Sequence, residues 1–304
     1  MKRVVIAGGT GYIGKALIPL LQKDYELVIL TRHPQRFKNQ KKLSYKAWDC
    51  SSLITSEVDG AYAIINLVGE NIGGKRWTEK QKKLILESRI LPSEYISQSI
   101  SKAIIKPKVW IQGSATGFYG PWDFETSLDE YSPHADKNFL AQVCEEWEKP
   151  IQNLKCDSLR KVIVRTGVTI AKDSLMMLQF LKSFNFYVGA IVGNGKDYLP
   201  WVHTEDEVRA IKYLLEHNSC AGIFNLSAPN SVSTRELIYE IGHYKRALFT
   251  LNVPRFALNL LFGRQMTKEL ILSNQNVYPT RLLEAGFKFK YNNIQQAMEQ
   301  ILKK

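Results

Sequence analysis

The chain has 304 residues, of which 45% are hydrophobic, so it can form one large α/β domain or a nucleotide-binding domain with a smaller part attached. Because no apolar run reaches membrane-spanning length and the N-terminus lacks a signal-peptide pattern, we expect a cytoplasmic protein that does not insert into a membrane. The net charge is +12, with ten Lys and Arg against three acids over residues 245–304, but no nucleic-acid motif accompanies it, so we expect an anionic small ligand rather than nucleic acid.

The first predicted elements are an apolar strand at residues 2–7, a glycine-rich turn and a helix at 12–22. In such a turn, Gly8 permits the tight bend, Gly11 lets the backbone approach a pyrophosphate, and Gly14 allows the helix to pack on the strand. The amides and the dipole of the helix N-terminus favour the anion. The pattern predicts a dinucleotide site with these binding residues: Gly8, Gly9, Thr10, Gly11, Tyr12, Ile13 and Gly14.

The same loop also fits the beginning of a P-loop, G-x-x-x-x-G-K. The next residue is Ala16, which lacks the hydroxyl that would hold magnesium, so a nucleoside triphosphatase is disfavoured. The second strand, at 26–31, is followed by Arg32, where an NAD site usually has an acid. Because a cation suits a 2′-phosphate, we expect NADP(H) as cofactor, although Arg32 could also be a solvated surface cation.

Strands and helices continue to alternate along the chain, which predicts a parallel sheet with crossover helices. The fold class is therefore α/β, a Rossmann-like doubly wound parallel sheet with a smaller mixed α/β C-terminal part that binds substrate. The later strands are expected near 43–48, 61–68, 108–114, 161–166 and 222–226, and the later helices near 78–103, 137–154, 174–183 and 204–217. The predicted nucleotide-binding domain is 1–170 with a return segment at 196–228, and the cap is 171–195 and 229–304.

The chain has no pattern typical of a metal site or of disulfide bonding. No His pair has metal-ligand spacing, and no C-x-x-C occurs, so we expect no metal. The four cysteines are expected to be free thiols in a reducing cytoplasm: Cys50, Cys144, Cys156 and Cys220.

Substrates of open α/β sheets bind at the carboxyl ends of the strands, so the residues that follow each strand are functional candidates. Ser114 follows the fifth strand but is not in a G-x-S-x-G elbow, which argues against a hydrolase. The remaining candidates at strand ends are Leu67, Val68, Gly69, Glu70 and Arg165.

The chain resembles an atypical subfamily of the extended short-chain dehydrogenases/reductases (SDRs), the sugar-nucleotide-epimerase-like proteins with their own C-terminal domain. The resemblance implies a Rossmann fold, NADP(H) binding and membership among epimerases or reductases. The motifs span nearly the whole chain in order: N-L-V-G-E-N-I-x-x-K-R-W-T (66–78), S-R-I (88–90), S-A-T-G-F-Y-G (114–120), F-L-A-Q-V-C-E-E-W-E (139–148), R-T-G (165–167), W-V-H-T-E-D (201–206), N-L-S-A-P (225–229) and A-G-F-K-F (285–289).

The resemblance also implies roles for single residues. Asp49 accepts from the adenine amine in this interpretation, although a turn role is equally consistent with the sequence. A homodimer through the helices at 78–103 and 137–154 is possible. The remaining residues near the cofactor are expected to be Leu67, Val68, Gly69, Ser114 and Arg165.

One departure from the wider superfamily places enzymatic activity in question. A standard member uses Tyr-x-x-x-Lys, in which the Lys charge lowers the Tyr pKa toward neutrality. None of the fourteen Tyr here has Lys four residues later, and the matching helix positions hold Leu140 and Cys144. The leading hypothesis is an oxidoreductase or epimerase on an unknown polar or anionic small molecule, for which a nucleotide-sugar-like compound is one candidate. The alternative is a non-catalytic NADP(H)-binding redox sensor or regulator.

Three residues are catalytic candidates in the absence of that pair. Ser114 is expected to polarise a carbonyl. Tyr119 could act as acid or base if a cation such as Lys75 or Arg76 lowers its pKa, or it could pack beside the cofactor. His203 could titrate at the mouth of the site or cap the following helix. The candidates for substrate contact are Glu70, Arg76 and Trp201, although Trp201 could equally belong to the core.

Overall fold

A computed structural model of the chain describes residues 1–123, 126–135 and 137–303. Lys304, where the predicted cap ends, lies outside the described residues. The first part of the chain forms β1 (Arg3–Ala7), α1 (Tyr12–Leu21), β2 (Glu26–Thr31), β3 (Leu43–Ala47), α2 (Thr55–Val58), β4 (Ala63–Asn66), α3 (Glu79–Lys102), β5 (Val109–Ala115), β6 (Ser127–Leu128), α4 (Phe139–Asn153) and β7 (Arg160–Thr166).

The second part begins with a short strand that directly follows β7. Its elements are β8 (Val168–Ile170), α5 (Leu175–Phe184), β9 (Val188–Val192), β10 (Tyr198–Leu199), β11 (Trp201–His203), α6 (Thr204–Glu216), β12 (Gly222–Leu226), β13 (Val232–Ser233), α7 (Thr234–Tyr244), β14 (Phe249–Val253), α8 (Arg255–Phe262), α9 (Arg264–Met266), β15 (Asn276–Val277), α10 (Thr280–Glu284) and α11 (Ile294–Leu302).

Seven strands form one parallel sheet in the order β12-β7-β5-β4-β1-β2-β3. The order reverses between β1 and β4, and the crevice at the carboxyl ends of these two strands is where such sheets bind ligands. Apolar clusters cover both faces of the sheet, as a doubly wound fold requires. The predicted fold class is confirmed.

Side chains that cap the first turn determine where the long helices begin. Thr78 accepts a hydrogen bond from the amide of Gln81 at the start of α3, and Asn138 accepts from the amide of Ala141 at the start of α4. The residue before α1 is Gly11, which has no side chain to accept from the first-turn amides. The start of α1 can therefore receive an anion from outside the helix.

The return segment brings α6 and β12 back to the sheet, where β12 pairs with β7. The exact domain limits stay a prediction. The fourth strand is shorter than the predicted 61–68, because the Asn66 side chain accepts from the amide of Val68 and turns the chain out of the sheet. Among the described residues, no helix has both the length and the apolar content needed to span a membrane.

Candidate cofactor and active site

The glycine loop after β1 packs closely against neighbouring backbone at positions where a side chain would clash. Gly8 has φ +76°, and a Cβ there would lie 2.8 Å from the carbonyl carbon and oxygen of Leu67. A Cβ on Gly14 would lie 2.5 Å from the Cα of Gly9, and the amide of Gly11 donates to the Gly8 carbonyl at 2.9 Å. The loop thus has the tight turn and close helix–strand packing that a dinucleotide-binding loop needs.

The end of β2 lies beside this loop. The Thr31 hydroxyl is 3.4 Å from that of Thr10, and Arg32, the next residue, is exposed. Asp49 accepts hydrogen bonds from the hydroxyl of Ser51 at 2.6 Å and from its amide at 3.0 Å, and these bonds hold the pKa of Asp49 below its usual range. Asp49 therefore has the turn-forming contacts of the second sequence interpretation, while its carboxylate stays exposed.

A buried polar network supports the end of β4. The Asn66 amide nitrogen donates to Ser93 Oγ and to Gln112 Oε1, both at 3.1 Å. All three side chains are buried, and Ser93 Oγ also lies 3.2 Å from Gln112 Oε1. The network fixes the direction in which the chain leaves β4, and so it positions Val68 and Gly69 at the crevice.

Ser114 belongs to a buried charged cluster at the carboxyl end of β5. Its hydroxyl donates to Glu148 Oε1 at 2.6 Å. Arg165, from β7, holds the same carboxylate through two bonds, Nε to Oε1 at 2.9 Å and Nη2 to Oε2 at 2.8 Å. Burial alone would lower the pKa of Arg165, but its hydrogen bond and charge interaction with Glu148 raise it. Ser114, Glu148 and Arg165 therefore act as one unit, which we call the Ser–Glu–Arg cluster.

Tyr119 extends this cluster into the interior. Its side chain is 0% exposed, and its hydroxyl donates to Asn225 Oδ1 at 2.8 Å and accepts from Arg165 Nη1 at 3.2 Å. Burial raises its pKa to about 12 although Arg165 acts in the opposite direction. An acid–base role requires a lowered pKa, so this geometry favours the packing alternative for Tyr119.

The two helix positions that would hold the superfamily's Tyr and Lys are buried. Leu140 has no titratable group, and the Cys144 thiol donates to the Ala115 carbonyl at 3.6 Å. Burial raises the pKa of Cys144 to about 11. At neutral pH Leu140 has no proton to exchange, and the Cys144 thiol keeps its proton and carries no positive charge, so these positions supply no proton relay.

His203 and Trp201 have roles inside the fold. His203 caps α6, since its Nδ1 accepts from the amide of Glu205 at 3.2 Å, and its Nε2 lies 3.1 Å from Gln300 Oε1. Burial lowers the pKa of His203. Trp201 is 0% exposed and its indole N–H donates to the Asn230 carbonyl at 2.9 Å. Its ring lies in the third apolar cluster, which favours the core alternative over contact with substrate.

Glu70 and Arg76 lie on the loop between β4 and α3. Glu70 is half-buried, and its amide donates to Ser88 Oγ at 3.0 Å. Arg76 is exposed, with Nη2 3.8 Å from the position that a Cβ on Gly263 would take. Glu269, from the C-terminal part, accepts from the amide of Leu140. The C-terminal part therefore packs against the N-terminal ends of α3 and α4, which are the ends that face the crevice.

Sequence reasoning did not identify Glu148 as part of this cluster. Glu148 is a charged residue on the buried face of α4, among Ala141, Trp147 and Ile151. A carboxylate on the apolar side of an amphipathic helix was the available signal, since such a charge needs a partner.

Comparisons with known proteins agree with this geometry. Residues 4–227 match the model of the NAD dependent epimerase/dehydratase family, and residues 253–301 match a domain of unknown function, DUF1731. The chain therefore belongs to the NAD-dependent epimerase/dehydratase family and carries a DUF1731 region on its C-terminal side. The resemblance to atypical extended SDRs is confirmed.

Individual relatives cover nearly the whole chain. The epimerase family protein YfhF of Bacillus subtilis is 32% identical over 300 residues, which is 98% of this chain and 97% of that protein. The crystal structure of the human epimerase family protein SDR39U1 (isoform 2) with NADPH has a TM-score of 0.87 at 30% identity and covers 99% of both chains. UDP-glucuronic acid 4-epimerase from Bacillus cereus, solved with UDP-glucuronic acid and NAD, shares the fold at 14% identity, with a TM-score of 0.76 over 99% of this chain and 98% of that one.

Proposed function

We propose that the protein is an NADP(H)-dependent oxidoreductase or epimerase that acts on a polar or anionic small molecule. The observation that carries this proposal is the 2.6 Å hydrogen bond from Ser114 to Glu148 at the carboxyl end of β5. This bond fixes the Ser114 hydroxyl at the ligand end of the sheet, where it can contact an oxygen of the substrate. Nucleotide sugars are one candidate substrate class, because fold neighbours were solved with them.

The direction of the Ser114 hydrogen bond determines what its oxygen can do. A serine hydroxyl has one proton, and here it points to Glu148, so the oxygen can accept a hydrogen bond but has no further proton to donate. Ser114 is thus suited to accept a hydrogen bond from a substrate hydroxyl, and Glu148, itself held by Arg165, orients the serine oxygen for this contact. The polarising role expected from the sequence would need the Ser114 proton to turn from Glu148 toward a substrate carbonyl oxygen.

The cofactor, when bound, supplies or accepts the hydride. The chain holds it with the backbone of Gly8 to Gly14 at the pyrophosphate and with Val68 and Gly69 at the crevice. The exposed Arg32 is the proposed partner of the 2′-phosphate, since a cation suits that phosphate better than the acid typical of NAD sites. NADPH in SDR39U1 supports this choice.

The cofactor proposal is tested by calorimetric titration of NADP+, NADPH, NAD+ and NADH. We expect the protein to prefer NADP(H) and Arg32→Ala to lose that preference. Lys102→Ala removes one exposed charge at the far end of α3 and should bind like the unaltered protein. Failure of all four dinucleotides to bind would overturn the proposal.

The chemical proposal is tested with a panel of alcohols and carbonyls, including nucleotide sugars, by following NADPH absorbance. We expect Ser114→Ala and Glu148→Gln to abolish any turnover while NADPH still binds. Ser101→Ala, an exposed serine near the end of α3, is the matched control. Turnover that survives in Ser114→Ala would exclude the proposed role of Ser114.

A second candidate function is a non-catalytic NADP(H)-binding regulator. The observation that favours it is the burial of Leu140 and Cys144 at the positions of the usual proton relay. A difference in affinity between NADPH and NADP+, without turnover across the panel, would support this alternative.

A further inference from the structure

Arg89 reaches the crevice from α3, the helix that packs beside the one from which the lysine is missing. Its guanidinium packs against the backbone of Gly69, where a Cβ would be 3.1 Å from Arg89 Cζ and 3.2 Å from Nη2. Its Cζ lies 4.9 Å from the ring centroid of Trp147 on α4. The guanidinium is therefore held between α4 and Gly69, on the loop after β4.

The same charge lies near the position from which the family's lysine is absent. The charge of Arg89 opposes the burial that raises the pKa of Cys144, so the guanidinium lies near this thiol, which donates to the carbonyl of Ala115, the last residue of β5. The cation near this helix position therefore comes from α3 and not from α4. The two helices pack against each other, so a long side chain on one can take the place of a side chain on the other.

Among the described residues Arg89 forms no ion pair with a carboxylate, although the charge of Glu70 acts against the burial that lowers the pKa of Arg89. Its hydrogen bonds go from Nη1 to the Ile85 carbonyl at 3.0 Å and from Nη2 to the Glu70 carbonyl at 2.9 Å, with a longer contact from Nη1 to Ser88 Oγ at 3.5 Å. A guanidinium has five N–H donors, so at least two are left for a ligand. Burial lowers its pKa, but an arginine keeps its charge, and a charge out of water needs an oxygen partner.

Part of what Arg89 does is structural. The Glu70 amide donates to Ser88 Oγ and the Glu70 carbonyl accepts from Arg89, so the two neighbours fasten the loop after β4 to α3. This fastening alone needs no positive charge, and Ser88 contributes to it as directly as Arg89. A comparison of substitutions at Ser88 and at Arg89 therefore distinguishes the loss of loop fastening from the loss of the positive charge.

We propose that Arg89 binds the nicotinamide-ribose half of NADP(H), and that it replaces the ribose-binding function of the lysine that this chain lacks. The inference rests on the proposed cofactor function and adds a binding residue on α3. The remaining donors of Arg89 would bond to ribose hydroxyl oxygens, and the charge would favour the oxygens of the adjoining phosphate.

The test compares two ligands that share the adenosine half. NADPH carries the nicotinamide ribose, whereas 2′,5′-ADP does not. We expect Arg89→Met to weaken NADPH binding by about tenfold or more, as for a lost hydrogen bond to a charged group, and to change 2′,5′-ADP binding by less than about twofold. Arg89→Lys should recover part of the NADPH affinity, because it restores the charge without the planar fork.

Ser88→Ala is the control for loop fastening and should not change the ratio of the two affinities. Retained 2′,5′-ADP binding shows that a variant is folded, and Arg89→Gln replaces Arg89→Met if the latter does not fold. If the ratio of the affinities for NADPH and 2′,5′-ADP is unchanged in the Arg89 variants, the proposed role of Arg89 is overturned while the cofactor proposal stands. Failure of the unaltered protein to bind either ligand would overturn the cofactor proposal and the role of Arg89 with it.

Discussion

Arg165 donates hydrogen bonds to both oxygens of the Glu148 carboxylate, from Nε to Oε1 at 2.9 Å and from Nη2 to Oε2 at 2.8 Å. Neither side chain is more than 3% exposed. The planar fork of arginine matches a carboxylate in this bidentate way, and Ser114 adds a third bond to the same group. The position of Ser114 at the crevice therefore depends on an ion pair between α4 and β7.

Removing one partner of this pair leaves a buried charge without compensation. We predict that Arg165→Met and Glu148→Gln each lower the free energy of unfolding, Arg165→Met by about 3–5 kcal/mol, measured by urea denaturation. Glu146→Gln breaks an exposed pair with Lys149 on the same helix and should cost less than about 1 kcal/mol. Equal effects of Arg165→Met and Glu146→Gln would contradict the structural role of the pair.

Two glycines allow the same substitution to be compared in opposite environments. Gly8→Ala places a Cβ 2.8 Å from the Leu67 backbone at φ +76°, so we predict loss of dinucleotide binding and a clear loss of stability. Gly242 lies inside α7 with no atom within 4 Å of the position that a Cβ would take, so Gly242→Ala should stabilise the protein by about 0.5–1 kcal/mol. Calorimetric binding and thermal unfolding of both variants check this, and unimpaired binding by Gly8→Ala would contradict it.

Glu207 should make stability depend on pH. Its carboxyl is fully buried in α6 and accepts from the Thr169 hydroxyl at 2.9 Å, and burial raises its pKa from 4.5 to about 7. The folded state holds the proton of Glu207 more tightly than the unfolded state does. The stabilising contribution of this group to the free energy of unfolding is therefore complete below pH 4.5 and is lost as the pH rises to about 7.

We therefore predict that ionisation of Glu207 lowers the free energy of unfolding by on the order of 3 kcal/mol between pH 4.5 and 7. Glu207→Gln should remove this pH dependence. Urea denaturation of both proteins at several pH values measures the difference, which should grow with pH. Glu26→Gln, at an exposed position, is the control, whereas Glu236 is unsuitable because it belongs to the capping box of α7. A constant difference between Glu207→Gln and the parent would show that Glu207 does not titrate in this range.

Tyr119 should contribute to stability and not to proton transfer. Tyr119→Phe leaves Asn225 Oδ1 without its donor, so we predict a loss of about 1–3 kcal/mol in the free energy of unfolding. Cofactor binding, and any turnover found, should persist, because burial raises the pKa of this hydroxyl to about 12. Complete loss of turnover with intact NADPH binding would restore Tyr119 as the acid–base group.

Local patterns predict the seven strands of the central sheet and the helices α1, α3, α4, α5 and α6, but not the short strands and helices of the C-terminal part. The predicted strand at 222–226 coincides with β12, and the glycine spacing predicts the loop after β1, because both patterns lie within a few neighbouring residues. Pairings across the fold were not predictable in this way. Tyr119 and Asn225 are 106 positions apart, and only the return of β12 to the sheet brings them together.

The environment of the Trp201 side chain was also not predictable from the sequence. It lies in a motif of the family near the crevice, and nothing in the sequence distinguishes a ring that faces a ligand from one that is enclosed. The pairing of β11 with β8, together with the apolar side chains of α7 and α11, encloses it. Arg89 was likewise visible only as part of S-R-I, since its significance depends on Gly69 and Trp147 lying on either side.

The return of β12 to the sheet also has a consequence for how the chain is made. The last strand of the central sheet ends at Leu226, and Phe287 and Phe289 pack in the same apolar cluster as Val4 and Ile6. During synthesis, β7 therefore has an unpaired hydrogen-bonding edge until β12 has been made, and the core around Val4 and Ile6 is incomplete until Phe287 and Phe289 have been made. An unpaired strand edge promotes aggregation, so this interval of synthesis is the one in which the chain needs protection from other unfolded chains.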